Sequence, residues 1–238
     1  MIFLFKFLIY IIDIGHKKKI IYHFKKIFKN NSINVIDVGA HKGETINLFS
    51  KNFNLRSIIS YEASKENFLF LKKFENIKFD FELKIKNIAL GSVEKKMEFL
   101  QTSESSSSTF CKIDFNSKYY MRKKKILDFF YKQDYILNKE SIQLHTLYNE
   151  FKEFNSNQID ILKIDTEGFE FDVIKGAKDK ITSIKYIYFE HHFDSMIIKN
   201  YKFSEIHRYL INHNFKKIIK IKMPFRKTFE YIYENQII

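Results

Sequence analysis

From Ile33 onward, short runs of β-branched and aliphatic residues alternate with longer stretches whose apolar positions recur at helical spacing. Asn34–Val38, Arg56–Tyr61, a segment within Lys78–Ile88, Ile159–Asp165 and Ile184–Glu190 read as strands. Their near-continuous apolar character suits strands buried on both faces of a parallel sheet. Thr45–Phe53, Lys65–Phe74, Tyr119–Tyr131, Phe171–Lys180 and Phe203–Asn212 read as helices. Lys96–Leu100 reads as an extra short strand, and Thr102–Thr109, with its serine run, as a loop. Phe215–Lys222 and Thr228–Tyr233 read as two strands joined around Met223–Phe225. Strand–helix alternation predicts an α/β fold: a doubly wound, Rossmann-like, mostly parallel sheet with a C-terminal antiparallel hairpin.

The first thirty residues differ. Ile2–Ile14 is almost wholly apolar, interrupted by Lys6 and Asp13. It falls short of the ~20 residues that span a bilayer. Its lysines follow the apolar run, and no small-residue cleavage site ends it, so it does not read as a secretory signal. Two readings stay open: a helix packed on the domain, and an in-plane membrane anchor with Lys17–Lys29 facing anionic headgroups. The expected organisation is a helical extension over residues 1–30 and one domain over 31–238. A cytoplasmic location, membrane-peripheral in the second reading, follows from either.

Composition narrows the chemistry. One cysteine, Cys111, excludes a disulfide framework and a cysteine-cluster metal site. One proline, Pro224, excludes the Asn/Asp-Pro-Pro-aromatic loop common in amino-group methylation of bases. Cys111 follows Phe110 rather than proline, against cytosine C5 methylation. Lys plus Arg number 41 and Asp plus Glu 28, a net charge of +13. That excess attracts nucleic acid, anionic lipid or phosphorylated substrates. A genome rich in A/T codons would produce it as well.

In a doubly wound sheet, ligands bind beyond the carboxyl ends of the strands. The first such end is Val35–Glu44. Gly39 and Gly43 permit a tight turn whose backbone approaches a ligand closely. It is neither a Walker A loop nor a Gly-x-Gly-x-x-Gly turn, because Ala40 and His41 follow Gly39 and Glu44 replaces the second Walker glycine. Asp37 would repel phosphate but suit a cationic or amino-acid-bearing ligand. Glu62, followed by Ala63, ends the second strand, where a carboxylate accepts both hydroxyls of a ribose. Asn87, Ala89 and Leu90 end the third, offering an amide and backbone groups to a base.

Three such ends fit a class I methyltransferase using S-adenosyl-L-methionine. The run Val35–Glu44, then Tyr61–Ala63, Ala89–Leu90, Ile159–Glu170 and Ile174–Ala177 resembles the FkbM family of methyltransferases. Its most specific piece is Lys-x-Asp-x-Glu-Gly-x-Glu at Lys163–Glu170, and the likeness extends from about Ile33 to Glu190. The resemblance implies O-methylation, often of sugar hydroxyls on glycans or secondary metabolites.

Transfer needs the acceptor oxygen in line with the methyl group, and often a base for its proton. Asp165, Glu167, Glu190 and His191 or His192 stand at the strand ends nearest that chemistry. The dipole of the following helix also accounts for Glu167 and Glu170. Asp165, Glu190 and a histidine could gather a divalent cation, but these residue types are too common to favour a metal site. The expected acceptor is a sugar hydroxyl of a glycan, glycolipid or polysaccharide precursor. The rivals are an RNA ribose 2′-hydroxyl, motivated by Arg122–Lys125 and Lys216–Lys227, and a non-catalytic binding protein on the same fold.

Overall fold

A computed structural model describes residues 15, 17–130, 134–153, 158–224 and 226–238. Its central sheet has seven strands in the order β11-β12-β9-β8-β1-β2-β3. These are β1 (Ile33–Val38), β2 (Leu55–Tyr61), β3 (Glu82–Lys86), β8 (Ile159–Ile164), β9 (Ile184–His192), β11 (Phe215–Lys222) and β12 (Thr228–Asn235). The four pairings that join β3, β2, β1, β8 and β9 run parallel, and β12 and β11 close the edge antiparallel. The chain order reverses between β1 and β8, which puts the switch point of the sheet at their carboxyl ends.

The six residues of β1 are all buried, as their apolar run demands. Alternation then splits them between two layers. Ile36 and Val38 join Leu162, Ile164, Ile187 and Phe189 under α6 (Glu170–Gly176) and α7 (Phe203–Asn212). Ile33 and Val35 join Ile161, Tyr186 and Tyr188 on the other face. That face is covered by α1 (residues 17–28), through Ile20, Phe24 and Phe28, and by α2 (Glu44–Ser50), through Ile46 and Phe49. Phe24 and Phe28 each meet the Tyr186 ring edge-on, at 5.7 and 5.6 Å between centroids. The apolar run Ile2–Ile14 lies outside the described residues.

Several expected boundaries shift. The helix read as Lys65–Phe74 is α3 (Lys65–Leu71), continued by a 3-10 turn over Lys72–Asn76. That read as Phe171–Lys180 is α6 followed by a 3-10 turn over Lys178–Ser183. Strand β9 continues past Glu190 to His192 because β12 pairs with it from Tyr186 to His192.

A second small sheet was read in the sequence only through its strand at Lys96–Leu100. It joins β4 (Ala89–Gly91), β5 (Lys96–Thr102) and the eleven-residue β7 (Ile136–Thr146). Most of β7 is exposed and polar, so it carries no apolar alternation. Between β5 and β7 the chain forms the serine segment, a short strand β6 (Lys112–Ile113) paired with β10 (Ile197–Ile198), and α4 (Lys118–Phe130). The other short helix is α5 (Leu147–Glu150). This insertion delivers Ser105, Ser106 and Ser108 to the carboxyl edge of the main sheet.

Candidate active site

A cavity of about 360 Å³ opens at the carboxyl ends of β1, β2, β8 and β9. Its floor is the β1–α2 turn. Gly39 and Gly43 both have positive φ, 78° and 90°. The amides of Gly39 and Ala40 donate to the Tyr61 carbonyl at 2.9 and 3.1 Å, which bends the turn toward β2. A Cβ on Gly39 would lie 1.9 Å from the Asp165 carbonyl oxygen, so only glycine permits the approach of the turn to the end of β8.

Glu62 is almost wholly buried on this wall. Its Oε2 accepts from the His41 amide at 2.7 Å and its Oε1 from the Ser64 amide at 2.9 Å. Burial nevertheless raises its carboxyl to about 7. On the same wall, Asn67 Oδ1 is buried without a partner. Its amide nitrogen donates to the Ser105 carbonyl at 3.3 Å. His41 bridges the turn to the serine segment: Nε2 lies 2.8 Å from Ser105 Oγ and Nδ1 2.9 Å from Glu44 Oε1. Against a burial that would raise it, the His41 contact and nearby backbone amides hold the Glu44 carboxyl down at about 2.

The opposite wall carries the acids. Glu167 adopts φ 50° and Gly168 φ 98°, a left-handed pair that ends the β8 turn. Thr109 Oγ1 donates to the Glu167 carbonyl at 2.7 Å, and Glu170 Oε1 accepts the Gly168 amide at 2.7 Å. Glu170 also accepts from Tyr201 Oη at 2.7 Å. The left-handed turn is held by Thr109 from outside and by Glu170 from its own helix. The Glu167 carboxylate meets His192 Nε2 at 3.2 Å, and Glu190 Oε1 meets the same nitrogen at 3.3 Å. On the far side of the ring, Nδ1 faces Thr228 Oγ1 at 3.2 Å and Asp194 Oδ2 at 3.4 Å.

This crowding sets the protonation states. Burial lifts Glu167 to about 7, against the pull of His192. Burial and neighbouring Asp165 push Glu190 well above the usual carboxylate range. His192 would be lowered by burial, but Glu167, Asp194 and Glu190 carry it up to about 10. The surrounding carboxylates favour its imidazolium form.

Of the expected cofactor residues, Gly39, Ala40, His41, Glu44, Glu62, Ala63, Ala89 and Leu90 line the cavity. Asp37, Gly43 and Asn87 do not. Asp37 is fully buried on the α1/α2 face of the sheet, 3.1 Å from Lys163 Nζ, so it does not face a ligand directly. Lys163, which does line the cavity, also lies 3.6 Å from Asp165 Oδ2. Gly43 packs under Phe74, whose ring a Cβ would strike at 2.4 Å. The Asn87 amide donates to the Glu62 and Ala63 carbonyls at 2.8 and 3.2 Å, which ties down the β2 end instead of reaching a base.

Of the expected catalytic residues, Asp165, Glu167 and Glu190 come together. His191 does not. It points to the α7 face, packed with Phe193, Tyr201 and Phe203, and burial there pushes its imidazole down to about 3. The strand period of two put His192, not His191, beside Glu190. Lys17, Met223, Arg226 and Glu230 also line the cavity, and the motifs of the sequence gave no sign of them. Among the described residues, no group of three or more His, Cys, Asp or Glu is placed to hold a metal ion.

Residues 37–217 match the family model of the methyltransferase FkbM domain, well over half of the chain. The chain belongs to the FkbM methyltransferase family. None of the curated proteins matches its sequence. Among solved structures, FkbM from Methylobacillus flagellatus KT is similar with a TM-score of 0.52 at 12% identity, over 85% of this chain and 43% of that one. This chain therefore spans less than half of that protein. TrmK from M. capricolum, in complex with S-adenosyl-homocysteine, is similar with a TM-score of 0.50 at 10% identity, over 91% of this chain and 67% of that one. These likenesses are ones of fold, and they agree with a class I, Rossmann-like arrangement around a mostly parallel sheet.

Proposed function

We propose that this FkbM-family methyltransferase uses S-adenosyl-L-methionine to methylate a sugar hydroxyl of a glycan, glycolipid or polysaccharide precursor. The cavity fits the cofactor at its most demanding point. Glu62 is a buried carboxylate already fixed by two amides, and Asn67 Oδ1 is an acceptor still without a donor. A vicinal diol such as a ribose supplies the missing donors. Ala89, Leu90 and Phe99 provide an apolar wall for a base. When bound, the cofactor supplies an electrophilic methyl carbon.

The observation that carries the transfer step is the Glu167–His192 contact. The Glu167 carboxylate takes the proton of the acceptor hydroxyl, and its value of about 7 suits a general base at neutral pH. The His192 imidazolium holds that carboxylate in place and favours its ionised form. Lys163 neutralises Asp37 and Asp165, which keeps the acidic wall from accumulating uncompensated charge. Ser105, Ser106 and Ser108 offer hydroxyls to a polyol along the rim.

The RNA reading loses part of its motive. Lys123, at the centre of the basic helix, is turned inward to Glu104 and to Ser107 Oγ, where it is unavailable to phosphate. Labelled-methyl transfer into cell-envelope sugar extracts and into RNA separates the two. Label in alkali-stable sugar methyl ethers supports the proposal, and label in RNA alone overturns it.

A further inference from the structure

The lysines of this protein differ in their surroundings. Lys86, Lys123 and Lys163 are turned inward and matched to carboxylates. Those of α1 are not. Lys18, Lys19, Lys25, Lys26 and Lys29 are exposed, and among the described residues none of them pairs with an acid. Residues 15–36 contain no Asp or Glu at all.

Helical spacing gathers these lysines on one side. Ile20, Ile21, Phe24 and Phe28 hold the opposite side against the sheet. The outward side carries the five ammonium groups and Tyr22, which is 62% exposed with Lys26 Nζ 4.5 Å above its ring. A cationic strip with an aromatic ring in it, rigidly seated on the domain, is complementary to an anionic bilayer surface. The position of the helix adds a consequence. Its first turn reaches the cavity, where Lys17 forms part of the wall.

We propose that the outer face of α1 docks this protein on an anionic lipid surface, so that the cavity meets acceptors carried by lipid. The choice of a lipid-borne acceptor rests on the methyl-transfer reading above, whereas the docking does not. The apolar run Ile2–Ile14 enters the chain at this same end of α1.

The test is sedimentation with phosphatidylcholine vesicles, with and without phosphatidylglycerol, at low and high salt. The proposal expects binding only to the anionic vesicles, weakened by salt. Each lysine near such a surface changes partitioning roughly fivefold. Neutralising Lys18, Lys25 and Lys29 then loses on the order of a hundredfold, and the triple variant Lys18→Glu, Lys25→Glu, Lys29→Glu loses more. The matching Lys→Gln variant guards against a folding defect and loses less. Equal binding by wild type and variants overturns the proposal. So does equal binding to neutral vesicles, or a variant defect seen with an RNA oligonucleotide and not with vesicles. Calorimetry with S-adenosylhomocysteine on the same samples keeps the two readings apart. Vesicle binding without heat from this ligand sinks the methyl-transfer reading and leaves the docking standing.

Discussion

The carboxylate of Glu167 and the Nε2 of His192 lie 3.2 Å apart, one on the turn after β8 and the other on the last residue of β9. Adjacent parallel strands bring them together, and Asp194 and Thr228 fix the ring from behind. In the proposed reaction this pair would serve as base and orienting group.

Glu167→Gln removes the base while preserving volume. It should lower kcat by roughly 10²- to 10⁴-fold. Affinity for S-adenosylhomocysteine, read by calorimetry, should stay within a few-fold of wild type. A matching fall in affinity would mean that Glu167 holds the ligand instead.

The pH profile follows from the same group. Its carboxyl sits at about 7 and acts as a base only when ionised, so kcat should rise with pH through about 7. His192 favours the ionised form. Replacing it by Asn removes that pull, and the rising limb should move to higher pH. An unmoved limb in His192→Asn would detach the histidine from the base.

His191→Phe provides the contrast. The native imidazole is neutral at working pH and packs among Phe193, Tyr201 and Phe203. The variant should keep the wild-type pH profile, and its stability should change by no more than about 1 kcal/mol, as for a well-accommodated apolar swap. A kcat collapse with the melting temperature intact would return His191 to the chemistry.

Gly39→Ala tests the floor of the cavity. The added methyl meets the Asp165 carbonyl at 1.9 Å on a backbone with φ 78°. Separating β1 from β8 should cost at least about 2 kcal/mol, from left-handed strain and overpacking together. A thermal melt reads this directly, and an unchanged midpoint would contradict the close approach.

Much of this was legible in the chain. The buried runs of β1, β8 and β9 announced a parallel sheet because both of their faces are covered. That Gly39, Glu62 and Glu167 line the cavity could be read because each follows a strand end of such a sheet. The histidine was within reach too, since the alternation along β9 sets Glu190 and His192 on one face and His191 on the other. Asp37 stands next to the glycine turn but does not line the cavity, because alternation along β1 turns it to the α1/α2 face beside Lys163. Strand β7 was hidden because an exposed, polar strand has no periodic apolar signal. Lys17 and Glu230 reach the cavity only through packing of α1 and β12, which no local pattern encodes.

Titration of the wild-type protein and of Glu62→Gln with S-adenosylhomocysteine, followed by calorimetry, bears most directly on the whole account. A one-to-one isotherm for the wild type, weakened roughly ten- to a hundredfold in the variant as one charge-assisted hydrogen bond is lost, is the result the cavity predicts. No heat from the folded wild type, or equal affinity in both proteins, would contradict it.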